Sequence, residues 1–140
     1  MLGASGETRD TYLLGHPSLR RRAMFVPLDP SDPSAAVVKR DVPQPKHLPA
    51  IARAGFLTKT RADADTKEAY ANDLTRATIA LQSGATVVAT DYAVADPKVG
   101  PYEVDLPGTA VVRCNPVTAP KWCRDTDLEN ARGLKQQQPG

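Results

Sequence analysis

The chain has 140 residues, enough for one domain of ordinary size, and a formal net charge of only +2. Its hydrophobic content is 41%, but this includes twenty alanines, and aromatic residues make up only 5%. Because alanine buries little apolar area, we expect a small core that is weakly stable on its own. No segment approaches the roughly eighteen apolar residues of a membrane span, and the start lacks the blocks of a secretory signal. The sequence therefore predicts a soluble protein made in a reducing compartment and argues against a membrane partner.

The charge is spread unevenly along the chain. Residues 1–62 contain ten Lys/Arg and five Asp/Glu, whereas residues 63–140 contain eight and eleven. This asymmetry indicates either that the two halves face different surroundings or that a small chain fluctuates by chance.

Prolines divide the chain near residue 50. Seven of the thirteen prolines lie between Pro17 and Pro49, and none lies between residues 50 and 96. Each proline removes a backbone donor and favours an extended conformation in the residue before it. Residues 1–47 are therefore predicted to be an extended, basic, proline-rich arm in which only Ala35–Val38 could pair as a short strand.

Two helices are predicted after the arm. The first covers Leu48–Ala54, with Pro49 in its first turn and Gly55 as its C-terminal stop. The second runs from a capping box at Asp65 to Ser83. Its apolar residues are spaced as one narrow stripe, which we expect to face the core: Tyr70, Leu74, Ala77 and Leu81.

A strand and a hairpin are predicted to follow the main helix. Residues 85–94 alternate with a period of two, as in a mostly buried strand. Tyr102–Leu106 also alternates, and the turn Pro107–Gly108 returns the chain through residues 109–114. The predicted fold class is therefore α+β: a small module over residues 48–114, preceded by the arm and followed by a polar tail over residues 115–140. A short helix over residues 125–132 is predicted within the tail.

The cysteines and histidines do not form a ligand set. Cys114 and Cys123 either form a disulfide, worth about 2.7 kcal/mol for a loop of about ten residues, or remain two ordinary thiols. His16 and His47 have no ligand spacing to each other or to a cysteine. Ser5 resembles a nucleophile elbow only superficially. No catalytic, metal or cofactor site is predicted.

The candidate interaction residues lie outside any recognised motif. Three adjacent arginines in the arm could bind phosphates or an acidic protein groove, and the groove is the preferred partner because interleaved aromatic residues are absent. Ile79 lies opposite the predicted core stripe. The full set of predicted partner-binding residues is Arg20, Arg21, Arg22, Phe25, Ile79 and Trp122.

The resulting hypothesis is a non-enzymatic accessory subunit of a large assembly, held by a larger structural protein in multiple copies or by a second copy of itself. The specific version is a virion protein of a tailed bacteriophage, either a capsid decoration (cement) protein or a head-completion protein. The alternatives are an accessory subunit of a cytoskeletal or respiratory-type complex and a small nucleic-acid-binding module that uses Arg20–Arg22.

Overall fold

Three short parallel strands form the centre of the fold. The structure is a computed structural model that describes residues 6–106 and 111–128. Strands β1 (Val37–Lys39), β2 (Leu57–Arg61) and β3 (Val87–Ala89) lie side by side in that order. In the register, Val38 lies beside Thr58, and Thr60 lies beside Val88. The predicted small module that mixes helices and strands is confirmed.

Helices provide the connections that parallel strands require. Helix α2 (His47–Arg53) joins β1 to β2, and α3 (Lys67–Ala71) and α4 (Thr75–Gln82) join β2 to β3. The other described helical elements are α1 (Gly6–Leu13), a 3₁₀ turn (Pro17–Leu19) and α5 (Asp125–Leu128). Helix α2 matches the first predicted helix within one residue, and the chain leaves it through Gly55 at a positive φ of 91°.

The sheet has one face covered by helices. Ala62, which directly follows β2, packs with Ala77 and Ala80 of α4 in a small apolar cluster. Thr58 and Thr60 point to the same side as Ala62 and are fully buried. Both crossovers step in the same direction across the sheet, so the usual right-handed connection puts α2 and α4 on this one face.

The other face of the sheet is partly open within the described residues: Val37 of β1 is buried on this side, but the positions on β2 and β3 are more exposed. Leu57 and Val87, which point to this side, are 47% and 53% exposed. Lys59, which lies beside Val87 in the register, also points to it. Parallel sheets are normally covered on both faces, so this exposed face is a distinctive surface of the chain.

The single long helix predicted over residues 65–83 is wrong. Asn72 adopts a left-handed conformation, with φ of 50°, and separates α3 from α4. The change of direction rotates the predicted apolar stripe, so that Tyr70 and Leu74 are 69% and 46% exposed. Of the predicted stripe, Ala77 is buried as expected, and Ala80 is the other buried residue of α4.

The predicted hairpin does not form in the described residues. Residues 102–106 and 111–114 have no strand assignment, and the predicted turn at Pro107–Gly108 lies outside the described residues. Tyr102 is instead buried edge-on against Tyr92, with ring centroids 5.4 Å apart. The Val104 N–H donates to the Tyr92 carbonyl at 2.9 Å, so this segment is held against the residues that follow β3.

The first 47 residues contribute to the core. Val26, Leu28, Val37 and Val38 are all buried, and the Leu28 N–H donates to the Val37 carbonyl at 3.0 Å. The division of the chain at residues 47 and 114 stays a prediction.

A disulfide closes the segment that follows the sheet. Cys114 and Cys123 are bonded, which decides between the two predicted states. The Asn115 side chain donates to the Gly84 carbonyl at 2.9 Å, so the closed loop is tied to the turn between α4 and β3. Of the predicted tail helix, α5 covers Asp125–Leu128, and the remainder lies outside the described residues, as does Ser5.

Candidate anion-binding site

The carboxyl ends of the three strands meet at one edge of the sheet because the strands are parallel. Charged residues follow directly: Asp41 lies two residues after β1, and Asp63 and Asp91 lie two residues after β2 and β3. In folds built from parallel strands joined by helices, binding and catalytic residues often come from the loops that follow the strands at this edge. We call this region the carboxyl edge.

Two lysines lie side by side on the open face near the carboxyl edge. Lys39 of β1 is the register partner of Lys59 of β2, and neighbouring strands are about 4.8 Å apart. The Lys39 ammonium pairs with the Asp41 carboxylate at 3.0 Å. Lys59 forms no salt bridge with any residue in the described part of the chain. Among the residues that the structure describes, one of the two adjacent positive charges therefore has no anionic partner.

A buried carboxylate joins the ends of β2 and β3. The Asp63 side chain is 1% exposed. Its Oδ2 accepts a short hydrogen bond from the Thr90 hydroxyl, and its Oδ1 accepts from the Asp91 N–H at 3.2 Å. The Arg61 guanidinium Nη2 lies 3.7 Å from Asp63 Oδ1 and 2.6 Å from Asp91 Oδ2. One arginine thus lies within ion-pair distance of both carboxylates, more closely to Asp91 than to Asp63.

Arg76 braces the same edge from the first turn of α4. Its guanidinium donates to the backbone carbonyls of Asp41 at 2.8 Å and of Arg61 at 3.4 Å, and it lies 3.5 Å from Glu68 Oε1. One side chain therefore links the loops that follow β1 and β2. This arrangement is structural, because every described contact of the guanidinium is internal to the fold.

Glu68 completes this brace. Its Oε2 accepts a hydrogen bond from the Ala64 N–H at 2.9 Å. Burial alone would raise the pKa of Glu68, but the hydrogen bond from Ala64 and the positive charges of Arg76 and Lys67 outweigh it and lower the pKa. The carboxylate form is therefore the one that the fold favours.

The six predicted interaction residues do not join this site. The Arg22 guanidinium lies over the Tyr12 ring at 4.5 Å and donates to the Tyr12 carbonyl at 2.7 Å. Arg20 and Arg21 are exposed. Phe25 and Trp122 are about half exposed, at 50% and 46%, and Ile79 on α4 is partly buried. In the part of the chain described, none of the six is hydrogen-bonded or ion-paired to the carboxyl edge, and their role in binding a partner stays a prediction.

Sequence reasoning missed the charged residues of the carboxyl edge. The available signal was the alternation in β2, where Thr58 and Thr60 are separated by Lys59 and followed by Arg61. β-branched threonines at a period of two are typical of a strand, and the charged residues between them mark a second, accessible face.

The fold and the site together define a parallel βαβαβ unit with a charged carboxyl edge. The family model described as phosphoinositide phospholipase C, Ca²⁺-dependent, matches residues 1–116. Because this match covers most of the 140 residues, the chain belongs to that family. No curated protein and no solved structure matches the chain significantly.

The family corrects several predictions. The virion hypothesis, including the capsid decoration and head-completion roles and the virion location, is wrong, because the family is one of cellular phospholipases. The prediction of a non-enzymatic protein is wrong for the same reason. Proline-rich segments do not by themselves indicate assembly, because Val26, Leu28 and Val37 within residues 1–47 pack in the chain's own core. In residues 6–106 and 111–128, no helix is both long and apolar enough to cross a membrane.

The described residues do not fit the calcium ion in the family's description. No group of three or more His, Cys, Asp or Glu residues within the described ranges is arranged to hold a metal. Calcium takes about six to eight oxygen ligands. At the carboxyl edge, both Asp63 oxygens already accept hydrogen bonds, and Asp91 Oδ2 is paired with Arg61. No calcium site is therefore assigned to this part of the chain.

Proposed function

We propose that this chain acts in phosphoinositide hydrolysis and that Lys59, with Lys39 beside it, binds the phosphate of the lipid headgroup. The family supplies the substrate class. The observation that carries the proposal is the ammonium of Lys59, which has no ion-pair partner within residues 6–106 and 111–128 and lies next to a lysine in the same register.

The electrostatics of the open face favour a phosphate ligand. A phosphodiester is anionic near neutral pH, and hydrogen bonds from a lysine ammonium to phosphate are charge-assisted. Because Asp41 already pairs with Lys39, the charge available to the ligand is that of Lys59. The ligand would thus gain a charge-assisted contact with Lys59, and Lys39 beside it would add a weaker attraction.

The two arginines of the carboxyl edge stabilise the fold and do not offer a free positive charge to the ligand. The charge of Arg61 is engaged by Asp91 and Asp63, and that of Arg76 is engaged by backbone carbonyls and Glu68. Lys59 is therefore the cation of the carboxyl edge whose charge the described residues leave available.

The Cys114–Cys123 disulfide supports a site of action in an oxidising compartment. This differs from the reducing compartment expected from the sequence. The proposed compartment rests on the disulfide and not on the sequence at the amino terminus.

The proposal is tested with the full chain and vesicles of phosphatidylcholine with and without phosphatidylinositol. We expect co-sedimentation and release of water-soluble inositol phosphate only with the vesicles that contain phosphatidylinositol. Lys59→Gln should weaken binding to these vesicles by about tenfold or more, the usual effect of losing a hydrogen bond to a charged group.

Lys121→Gln is the matched control, because Lys121 is an exposed lysine in the disulfide-closed loop and removes the same charge elsewhere. Equal effects of the two substitutions would show that only net charge matters and would contradict a site at Lys59. Absence of both binding and hydrolysis would contradict the proposed function itself.

A further inference from the structure

We infer that the Arg61 guanidinium occupies the cation position between Asp63 and Asp91 and thereby keeps calcium out of this carboxylate pair. The inference concerns an ion pair and does not depend on the proposed binding of phosphoinositide. It identifies Arg61 as the residue that determines which cation the carboxyl edge accepts.

The geometry places one nitrogen atom between two carboxylates. Arg61 Nη2 is 2.6 Å from Asp91 Oδ2, a close charge-assisted contact, and 3.7 Å from Asp63 Oδ1. The two carboxylates come from the ends of different strands, β2 and β3, and Asp63 is almost fully buried. Asp63 carries a buried negative charge, whereas the Asp91 side chain is 68% exposed, and Arg61 is the counter-cation that the chain places between them.

Both oxygens of the buried Asp63 also accept hydrogen bonds. The Thr90 hydroxyl donates to Asp63 Oδ2, and the Asp91 N–H donates to Asp63 Oδ1 at 3.2 Å. Calcium would have to displace the guanidinium and compete with these donors, yet it needs about six to eight oxygens. Lys59 points to the same face as Arg61, and its positive charge further disfavours a divalent ion there.

The calcium dependence in the family's description therefore does not come from the Asp63–Asp91 pair. The two carboxylates and Arg61 instead form an ion-pair network that joins the ends of β2 and β3. Removing the guanidinium should convert a calcium-insensitive ion pair into a weak calcium site, because both carboxylates would then lack a cation.

The test compares thermal unfolding of the full chain in chelator and in rising calcium. The wild type should show no calcium-dependent change in Tm. Arg61→Gln should have a lower Tm in chelator and regain about 5 °C at about 10 mM calcium, roughly ten times the Kd of a weak millimolar protein site. The double variant Arg61→Gln with Asp91→Asn should lose this recovery, since one of the two carboxylates is gone. Calorimetric titration with calcium alone measures the binding directly.

Arg40→Gln is the matched control, because Arg40 pairs with the exposed Asp29 at 3.1 Å, away from the buried carboxylate. It should gain no calcium response. If Arg61→Gln folds and shows no calcium response, the inference is overturned. If Arg61→Gln does not fold, the wild type decides: a calcium-dependent rise in Tm that Asp63→Asn abolishes overturns the inference, and the absence of any rise supports it.

Discussion

Replacing Gly84 with alanine would measure how firmly the disulfide-closed segment is held against the sheet. Gly84 lies between α4 and β3 with φ of 77°, in the left-handed region. A Cβ added there would lie 2.6 Å from Cβ and 2.6 Å from Cγ2 of Val117, and 3.3 Å from Asn115 Oδ1. The substitution therefore creates both backbone strain and a steric clash with the closed loop.

The two costs can be separated with Gly55→Ala. Gly55 also has a positive φ, of 91°, but a Cβ there would meet nothing within 4 Å. Left-handed backbone strain costs about 1–2 kcal/mol for an alanine, which is the whole effect expected at Gly55. Overpacking adds about 1–3 kcal/mol, so Gly84→Ala should lower the free energy of unfolding by about 2–5 kcal/mol.

Urea denaturation of the wild type and both variants gives these values, with the slope m as a check that the two-state description holds. The same melts under reducing conditions should bring the two variants closer together, because a loop without its disulfide can move away from residue 84. If Gly84→Ala and Gly55→Ala cost the same in the oxidised protein, Val117 does not pack on Gly84 and the placement of the loop is wrong.

Three further outcomes are expected from the same fold. Because the pKa of Glu68 is lowered from 4.5, its stabilisation is present above pH 4.5 and lost as the pH falls below it, so Glu68→Gln should flatten the acid limb of stability against pH. Tyr102 is buried, its hydroxyl has no partner among the described residues, and burial raises its pKa to about 12. Tyr102→Phe should therefore be at least as stable as the wild type at neutral pH and should lose less stability between pH 10 and 12, as equilibrium melts would show. Cys114→Ser should cost about 2.7 kcal/mol in urea melts, and a cost near zero would mean that the unfolded chain gains little freedom from losing the bond to Cys123.

Local patterns were sufficient to predict helix α2. Pro49 in the first turn and Gly55 after the last act within a few residues, and α2 begins and ends within one residue of its predicted bounds. The prediction of one long main helix was wrong for an equally local reason. Asn72 adopts a left-handed conformation, and asparagine is one of the few residue types that tolerate it. The prediction depended on the spacing of the apolar residues, and that spacing does not show the change of helix direction that Asn72 causes.

The site could not be predicted because it depends on pairing between distant segments. Asp63 and Asp91 are 28 residues apart, and only the parallel pairing of β2 with β3 brings them together. Asp63 also gave no sign in the sequence that it would be buried, since aspartates are mostly exposed unless paired. The partner that permits its burial, Arg61, was visible only as one charge among many.

The alternation in β2 shows why the fold and the candidate site depend on each other. Thr58 and Thr86 exchange reciprocal hydrogen bonds, each N–H donating to the other's hydroxyl oxygen at 3.2 Å. These bonds fix β2 beside the segment leading into β3, with Thr58 and Thr60 toward the helices. A slip of one residue would reverse every side chain and place Lys59 and Arg61 against the alanines of α4, where neither charge would have a partner. The threonines that bury one face thus determine that the lysine and the arginine of β2 reach the open face, where the proposed phosphate and the two carboxylates meet them.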